Sequence, residues 1–349
     1  MNKKELSLKI ENMFDDLIEN TRKCIKRGKS STVFNNDEIK SVRDLEYILD
    51  YLAEAVYFDN INLFNDFSIW LNSLFENIGL SEDVFINTYN CIQEVIKENF
   101  EPEESNYLNN ILDEAIEKAL YEKKRGKSYI TEDNPQQDFA KKYLELLRNN
   151  NKMAASNLIV EEALSKMSVT EIYLNILEPV QKEVGRLWHS NEISVAQEHY
   201  ISSVTQLVMS QLYSHFLSSG GEKGNIVTTA VGTELHEIGV RMVADLLEID
   251  GFDTIHLGAN TPNSSIVETL KKNRTTLLGV SVTLPIHLKE LNQLVEMTRS
   301  DPELAKLKIL VGGYAFNQNP ELKEDFEVDA YSVNAQDAVK KANQLAGGI

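Results

Sequence analysis

The sequence is poor in cysteine and in basic charge, and each shortage excludes a class of protein. Its two cysteines, Cys24 and Cys91, share no motif. This excludes an iron–sulfur or zinc-ribbon site built on thiolates, and few thiols are typical of a reducing cytoplasm. The chain has 35 Lys and Arg against 54 Asp and Glu, a net charge of −19. Direct binding of nucleic acid is not expected, because it needs a basic surface.

Long apolar runs are also missing. Residues 200–221 contain no Asp, Glu, Lys or Arg, but they carry many hydroxyl and amide side chains. A buried helix is therefore expected there, not a membrane span. Residues 1–17 are charged throughout and do not resemble a secretory signal. These features together predict a cytoplasmic protein without membrane contact.

A length of 349 residues predicts two or three domains. Residues 1–125 show helical periodicity, with apolar residues from Leu45 to Val56 on one helical face. No histidine precedes His189, which disfavours a histidine-ligated haem in this block. Its aromatic stripes are those of any helical core. Residues 121–135 mix Gly, Pro and charge blocks and predict a linker.

A second helical domain is predicted over residues 135–218. Four helices joined by short loops predict an antiparallel bundle, and they are expected at 137–149, 152–167, 169–189 and 194–217. Residues 218–224 are rich in Ser and Gly and predict a flexible linker.

Strands and helices alternate from residue 224 to residue 349. This predicts a parallel, doubly wound α/β sheet of flavodoxin type. Its five strands are expected at 225–232, 253–259, 277–283, 308–313 and 329–333.

A histidine follows the first of these strands. His236 lies in the segment Glu234–Gly239 (ELHEIG), at the carboxyl edge of the sheet, where open α/β folds bind ligands. Alone, it could be a catalytic base or a structural loop residue. Two hydroxyls and a glycine pair follow later strands and should converge on the same edge: Ser281, Thr283, Gly312 and Gly313.

The pattern E-x-H-x-x-G … S-x-T … G-G resembles the cobalamin-binding Rossmann domain of the methionine-synthase type. The resemblance implies that His236 is the lower axial cobalt ligand and that Glu234, in place of the usual Asp, holds its other ring nitrogen. Leu235 and Gly239 complete the motif beside the cofactor. The helical bundle is similar to the cap that accompanies such domains. The resemblance assigns four residues to the slot for the nucleotide tail: Ser281, Thr283, Gly312 and Gly313.

A second pattern lies in the bundle. Trp188-His189 and Glu198-His199 form a W-H … E-H arrangement that resembles CarH-type adenosylcobalamin photoreceptors. The resemblance implies that Trp188, Val195 and Glu198 contact the upper face of adenosylcobalamin. It further implies that His189 ligates cobalt after photolysis and that His199 supports the site. We read His215, His256 and His287, which have no motif around them, as structural or exposed.

These resemblances predict a cobalamin-binding light sensor that is not an enzyme. Photolysis would switch its conformation or assembly, and the output would pass through self-association or a separate protein partner. Residues 1–125 lack the DNA-binding domain of CarH-type repressors. By resemblance to photocobilins, they could instead bind biliverdin. One alternative is a corrinoid methyl carrier of a methyltransferase system, holding methylcobalamin or hydroxocobalamin. Another is a sensor of cobalamin itself.

Overall fold

The computed structural model describes residues 1–27, 38–122, 126–216, 221 and 223–347. Parts of the two predicted linkers, residues 123–125, 218–220 and 222, lie outside the described residues. So does residue 217, the end of the helix predicted at 194–217. The chain divides into two compact units. Unit 1 comprises Met1–Gly126 and His189–Asn191, and unit 2 comprises Lys127–Trp188 and Glu192–Ile349.

Unit 1 is helical. Its helices are α1 (Lys3–Asn12), α2 (Phe14–Arg27), α3 (Glu38–Tyr57), α4 (Ile61–Asn77), α5 (Glu82–Asn99) and α6 (Pro102–Tyr121). The aromatic residues form its core: Tyr51 stacks on Phe67 with ring centroids 3.9 Å apart. Tyr89 is fully buried, and its hydroxyl lies 2.7 Å from the Ser68 hydroxyl.

The two cysteines are joined in unit 1. A disulfide links Cys24 of α2 to Cys91 of α5, which lie 67 positions apart in sequence and have their Cα atoms 5.6 Å apart. Both cysteines are therefore paired, so the small number of thiols no longer supports a reducing compartment. The pairing follows from the packing of two helices, for which the sequence carries no motif.

A bundle, called the cap, opens unit 2. Its helices are α7 (Gln137–Arg148), α8 (Lys152–Asn157), α9 (Val169–Ile172), α10 (Glu178–His189) and α11 (Val195–Tyr213). Two π-helical segments, Leu158–Ala163 and Tyr173–Leu177, continue α8 and join α9 to α10. The cap therefore consists of four consecutive helical segments, as the sequence predicts.

The α/β part of unit 2 has five parallel strands in the order β2-β1-β3-β4-β5. They are β1 (Asn225–Ala230), β2 (Asp253–His256), β3 (Leu277–Ser281), β4 (Lys308–Gly312) and β5 (Ala330–Ser332). The main helices are α12 (Ile238–Ile249), α13 (Asn263–Lys272), α14 (Leu288–Ser300), α15 (Tyr314–Gln318) and α16 (Ala335–Ala346). Short 3-10 turns lie at Pro285–His287, Pro302–Leu304 and Pro320–Asp325. This strand order is that of flavodoxin-like folds, so the predicted fold class is confirmed.

The cap packs on one helix of the α/β part. Met242 and Leu246 of α12 are buried in the same apolar cluster as the cap residues Leu187 and Val208. No helix in the described ranges is long and apolar enough to cross a membrane.

Candidate functional site

The loop from β1 to α12 presents His236. β1 is buried along nearly its whole length, and the chain turns at Gly232, whose φ of +46° lies in the left-handed region. Glu234 then points inward and is fully buried, whereas the side chain of His236 remains 58% exposed. The loop therefore places an imidazole at the carboxyl edge of the sheet with a buried carboxylate beneath it.

The Glu234 carboxylate organises this edge. Oε1 accepts hydrogen bonds from the backbone N–H of His236 at 3.0 Å and from its Nδ1 at 2.5 Å. Oε2 accepts from the backbone N–H groups of Thr283 at 3.0 Å and Leu284 at 2.9 Å. A glutamate thus reaches the histidine two residues ahead and also holds the loop that follows β3.

These hydrogen bonds shift the pKa values of both Glu234 and His236. Burial alone would raise the pKa of Glu234, but the bonds from His236 and from backbone N–H groups outweigh it and lower that pKa to about 2. The bond to Glu234 raises the pKa of His236, and the nearby Glu198 carboxylate of α11 adds to this effect. A carboxylate that accepts from Nδ1 fixes the proton there in the neutral imidazole and makes Nε2 a better electron donor.

His236 fits the role of a single axial ligand. In the part of the chain that the structure describes, its Nε2 makes no hydrogen bond. No group of three or more His, Cys, Asp or Glu among the described residues could hold a metal ion. A cobalt already held in a macrocycle needs only one protein ligand.

The other predicted residues of the sheet edge lie around this loop. Ser281 pairs with Gly312 across β3 and β4, and its carbonyl accepts from the N–H of Val231 in the His236 loop. Thr283 donates its backbone N–H to Glu234. The structure therefore brings the ends of β1, β3 and β4 together. Their contact with a nucleotide tail stays a prediction.

The three glycines of the predicted motif differ in the space that a side chain would find. Gly313 has a φ of +109°, and a Cβ there would lie 2.2 Å from the carbonyl oxygen of Val282. At Gly312, a Cβ would lie 2.9 Å from the Ser332 hydroxyl. In α12, by contrast, a Cβ on Gly239 would meet nothing within 4 Å. Close contacts at the ends of the strands thus explain why Gly312 and Gly313 are glycines. Of these three glycines, Gly239 is the one with open space beside it.

The predicted upper-face residues of unit 2 lie at the end of α10 and the start of α11. Trp188 is half-buried against the apolar core of the cap, and Val195 is 52% exposed. Glu198 accepts from the Ser202 hydroxyl at 2.7 Å and pairs with Nδ1 of His199 at 2.7 Å. His199 itself is exposed.

His189 groups with unit 1. Its ring stacks on Trp70 with centroids 5.2 Å apart, and its Nε2 lies 3.1 Å from the Trp70 carbonyl oxygen. The Asn77 side chain donates to the His189 carbonyl at 2.9 Å. The histidine that the resemblance assigns to cobalt therefore has a ring nitrogen hydrogen-bonded within unit 1.

Sequence analysis missed the residue after the cobalt-ligand candidate. Glu237 accepts from the side chain of Gln206 and from the backbone N–H of Ala259. Its adjacency to His236 was the only available signal. The other histidines of the sheet have local partners: His256 lies 3.0 Å from the Thr228 hydroxyl, and His287 lies 3.4 Å from Glu290.

Comparison with protein families identifies both parts of unit 2. Residues 140–213 and 224–340 match two family models, each described as a B12 binding domain. The first match falls on the cap and the second on the α/β part. The chain therefore carries a cobalamin-binding module in unit 2. Residues 1–126 lie outside both matches.

Individual relatives are corrinoid proteins. A dimethylamine corrinoid protein of Methanosarcina mazei is 26% identical over 191 residues, 54% of this chain and 88% of the relative. A corrinoid protein of Desulfitobacterium hafniense is 24% identical over 195 residues, 53% of this chain and 89% of the relative. The solved monomethylamine corrinoid protein of Methanosarcina barkeri has the same fold. It superposes with a TM-score of 0.54 at 23% identity, over 60% of this chain and 99% of that one.

Proposed function

We propose that this protein is a corrinoid carrier, in which unit 2 holds a cobalamin that passes a methyl group between methyltransferase partners. The observation that carries the proposal is the Glu234–His236 pair: a buried carboxylate holds Nδ1, and the side chain of His236 is 58% exposed. The names of the relatives, which link a corrinoid with methylamines, support the methyl-carrying role and suggest a methylated amine as the class of donor. This replaces the light sensor as the leading hypothesis.

Each part of the site would have its own role in holding the cofactor. When bound, a corrin supplies a cobalt that can accept and release a methyl group. His236 would hold the cobalt from below through Nε2, and Glu234 would keep the proton on Nδ1. The bonds from Thr283 and Leu284 to Glu234 would keep that carboxylate in place as the charge on the imidazole changes. The cap would exclude water from the upper face.

Loading the protein with methylcobalamin tests the proposal. We expect tight binding and the absorbance of a histidine-coordinated methylcobalamin, which changes to that of the uncoordinated form in His236→Ala. His256→Ala is the matched control, because His256 lies on β2 and is bonded to Thr228, away from the loop. Transfer of the methyl group to a thiol, on addition of a partner methyltransferase, would then support the carrier role. Equal spectra for wild type and His236→Ala would contradict it.

A light-responsive sensor is the second candidate. It is favoured by the placement of Trp188 and Glu198 at facing ends of α10 and α11, with Glu198 close enough to raise the pKa of His236. In this case adenosylcobalamin would be bound, and illumination would give a stable spectrum with histidine on both faces. That spectrum should be absent in His189→Ala. Release of free hydroxocobalamin from both proteins would contradict the sensor. Biliverdin binding by residues 1–125 stays a prediction, which reconstitution with biliverdin would test.

A further inference from the structure

Four ionisable side chains form hydrogen bonds to the cap. Three of them lie on α12, and the fourth belongs to the residue just before this helix. Their spacing of four, four and three residues places them on one side of the helix. The row consists of Glu237, Arg241, Asp245 and Glu248. The cap partners are, in the same order, Gln206 at 2.9 Å, Ser210 at 2.8 Å, Tyr173 at 2.7 Å and Tyr213 at 2.9 Å. The cap is therefore held against α12 by polar bonds as well as by its apolar core.

The first member of the row lies next to the cobalt-ligand candidate. Glu237 uses both carboxylate oxygens: Oε1 accepts from Gln206 of α11, and Oε2 accepts from the backbone N–H of Ala259 at 3.0 Å. It is thus tied to the cap on one side and to the loop after β2 on the other. Because Glu237 directly follows His236, these two bonds restrict the backbone that carries the imidazole.

The second member of the row, Arg241, adds hydrogen bonds between α12 and the same part of α11. Arg241, one turn further along α12, donates to the Gln206 carbonyl at 3.4 Å as well as to the Ser210 hydroxyl. Gln206 is therefore fixed through both its backbone and its side chain. Among the residues that the structure describes, the exposed imidazole of His236 is hydrogen-bonded to one side chain, that of Glu234. Glu237 and Gln206 restrain the loop from the side.

We propose that Glu237 and Gln206 are positioning residues for the lower cobalt ligand, so that cobalt coordination by His236 depends on the bond that joins Gln206 of the cap to the His236 loop. The inference rests on the proposed role of His236. Gln206 would act on the lower face of the cofactor although it belongs to the cap, which would cover the upper face. The alternative is that Glu237 only stabilises the start of α12, since an acidic residue at a helix N-terminus is favourable by itself.

The midpoint potential of the Co(II)/Co(I) couple tests the proposal in the cobalamin-loaded full chain. A lower ligand stabilises Co(II) relative to Co(I), so weaker coordination raises the potential. Losing a hydrogen bond of about average strength should weaken coordination roughly tenfold. For a one-electron couple, this is a rise of about 59 mV. We expect such a rise in Gln206→Leu and in Glu237→Ala, with His236→Ala setting the upper limit.

Two variants separate positioning from general stability. Glu237→Gln keeps an acceptor for Ala259 and can still pair with Gln206, so its potential should stay within about a third of the full shift. Tyr213→Phe removes a bond between the same two helices, far from the loop, and should leave the potential unchanged. If Glu237→Ala does not fold, Gln206→Leu alone decides, because it leaves the charge at the start of α12 in place.

The outcomes distinguish this inference from the proposed function. If His236→Ala shifts the potential but Gln206→Leu and Glu237→Ala titrate as wild type, the positioning role is overturned and the lower-ligand role stands. A shift of equal size in Tyr213→Phe also overturns it, because loosening the cap anywhere would then suffice. If His236→Ala itself leaves the potential unchanged, both the proposed function and the inference fail.

Discussion

Replacing Glu234 by Gln should destabilise unit 2 strongly before any cofactor is added. The carboxylate is fully buried and accepts four hydrogen bonds, from Nδ1 of His236 and from the backbone N–H groups of His236, Thr283 and Leu284. An amide can accept at only one of its two ends. The other end would direct its own N–H groups at donors, which leaves buried donors unsatisfied.

The magnitude follows from two separate arguments. Loss of hydrogen bonds to a buried charged group costs about 1.5–3 kcal/mol each. The fall of the pKa of Glu234 from 4.5 to about 2 corresponds to about 3 kcal/mol of stability. Because this pKa is lowered on folding, the contribution is complete above pH 4.5 and is lost as the pH falls towards 2. We therefore expect Glu234→Gln to lose about 3 kcal/mol at pH 7 and much less near pH 2.

Denaturant unfolding of the cofactor-free protein in a Trp70→Phe background measures this loss. The chain has two tryptophans, so emission then reports only on Trp188 of unit 2. Glu290→Gln is the matched control, because it makes the same chemical change at a carboxylate of the same sheet edge that is 33% exposed. Its cost should be below about 1 kcal/mol. Equal stabilities and equal pH profiles for Glu234→Gln and wild type would refute the reasoning.

Three further predictions concern other parts of the chain. Gly313→Ala should lower the melting temperature of unit 2 with a loss above about 2 kcal/mol, because of its positive φ and the contact with a carbonyl oxygen. Gly239→Ala should be neutral or stabilising without cofactor. A lower melting temperature for Gly239→Ala than for Gly313→Ala would contradict this difference in packing. Asp245→Asn should stabilise the protein at pH 7 by up to about 3 kcal/mol. Burial raises the pKa of Asp245 to about 6, so stability falls as the pH rises from 3.8 to about 6; no gain in calorimetry at pH 7 would contradict this. Cys24→Ser should destabilise unit 1 by about 2–4 kcal/mol relative to the oxidised chain, with reductant having the same effect on wild type; a wild-type melting curve that reductant leaves unchanged would contradict it.

The sequence predicted the elements well because their signals are local. The strand predicted from residue 225 and the helices predicted from residues 169 and 194 depend on neighbouring residues. The structure has β1, α9 and α11 there, and Ser168 and Ser194 form capping boxes at the start of the two helices. The contact of Glu234 with His236 also lies within one loop. A glutamate is one methylene longer than the usual aspartate, and it spans from His236 to the loop after β3.

What the sequence did not predict depends on contacts between distant segments. The disulfide joins residues 67 positions apart. The partner of Glu237 lies 31 residues earlier, on a helix of the cap. The stacking of His189 on Trp70 joins residues 119 positions apart. No periodicity or motif links such pairs, because they are set by how helices pack.

The electron paramagnetic resonance spectrum of the protein, loaded with cobalamin and reduced to Co(II), shows whether His236 ligates cobalt. If Nε2 of His236 ligates cobalt, the cobalt lines are split into triplets by one ¹⁴N nucleus. Labelling the protein with ¹⁵N-histidine should convert these triplets to doublets, and His236→Ala should remove that change. Triplets that survive histidine labelling would show that the nitrogen belongs to the cofactor's own base, and the assignment of His236 would be wrong.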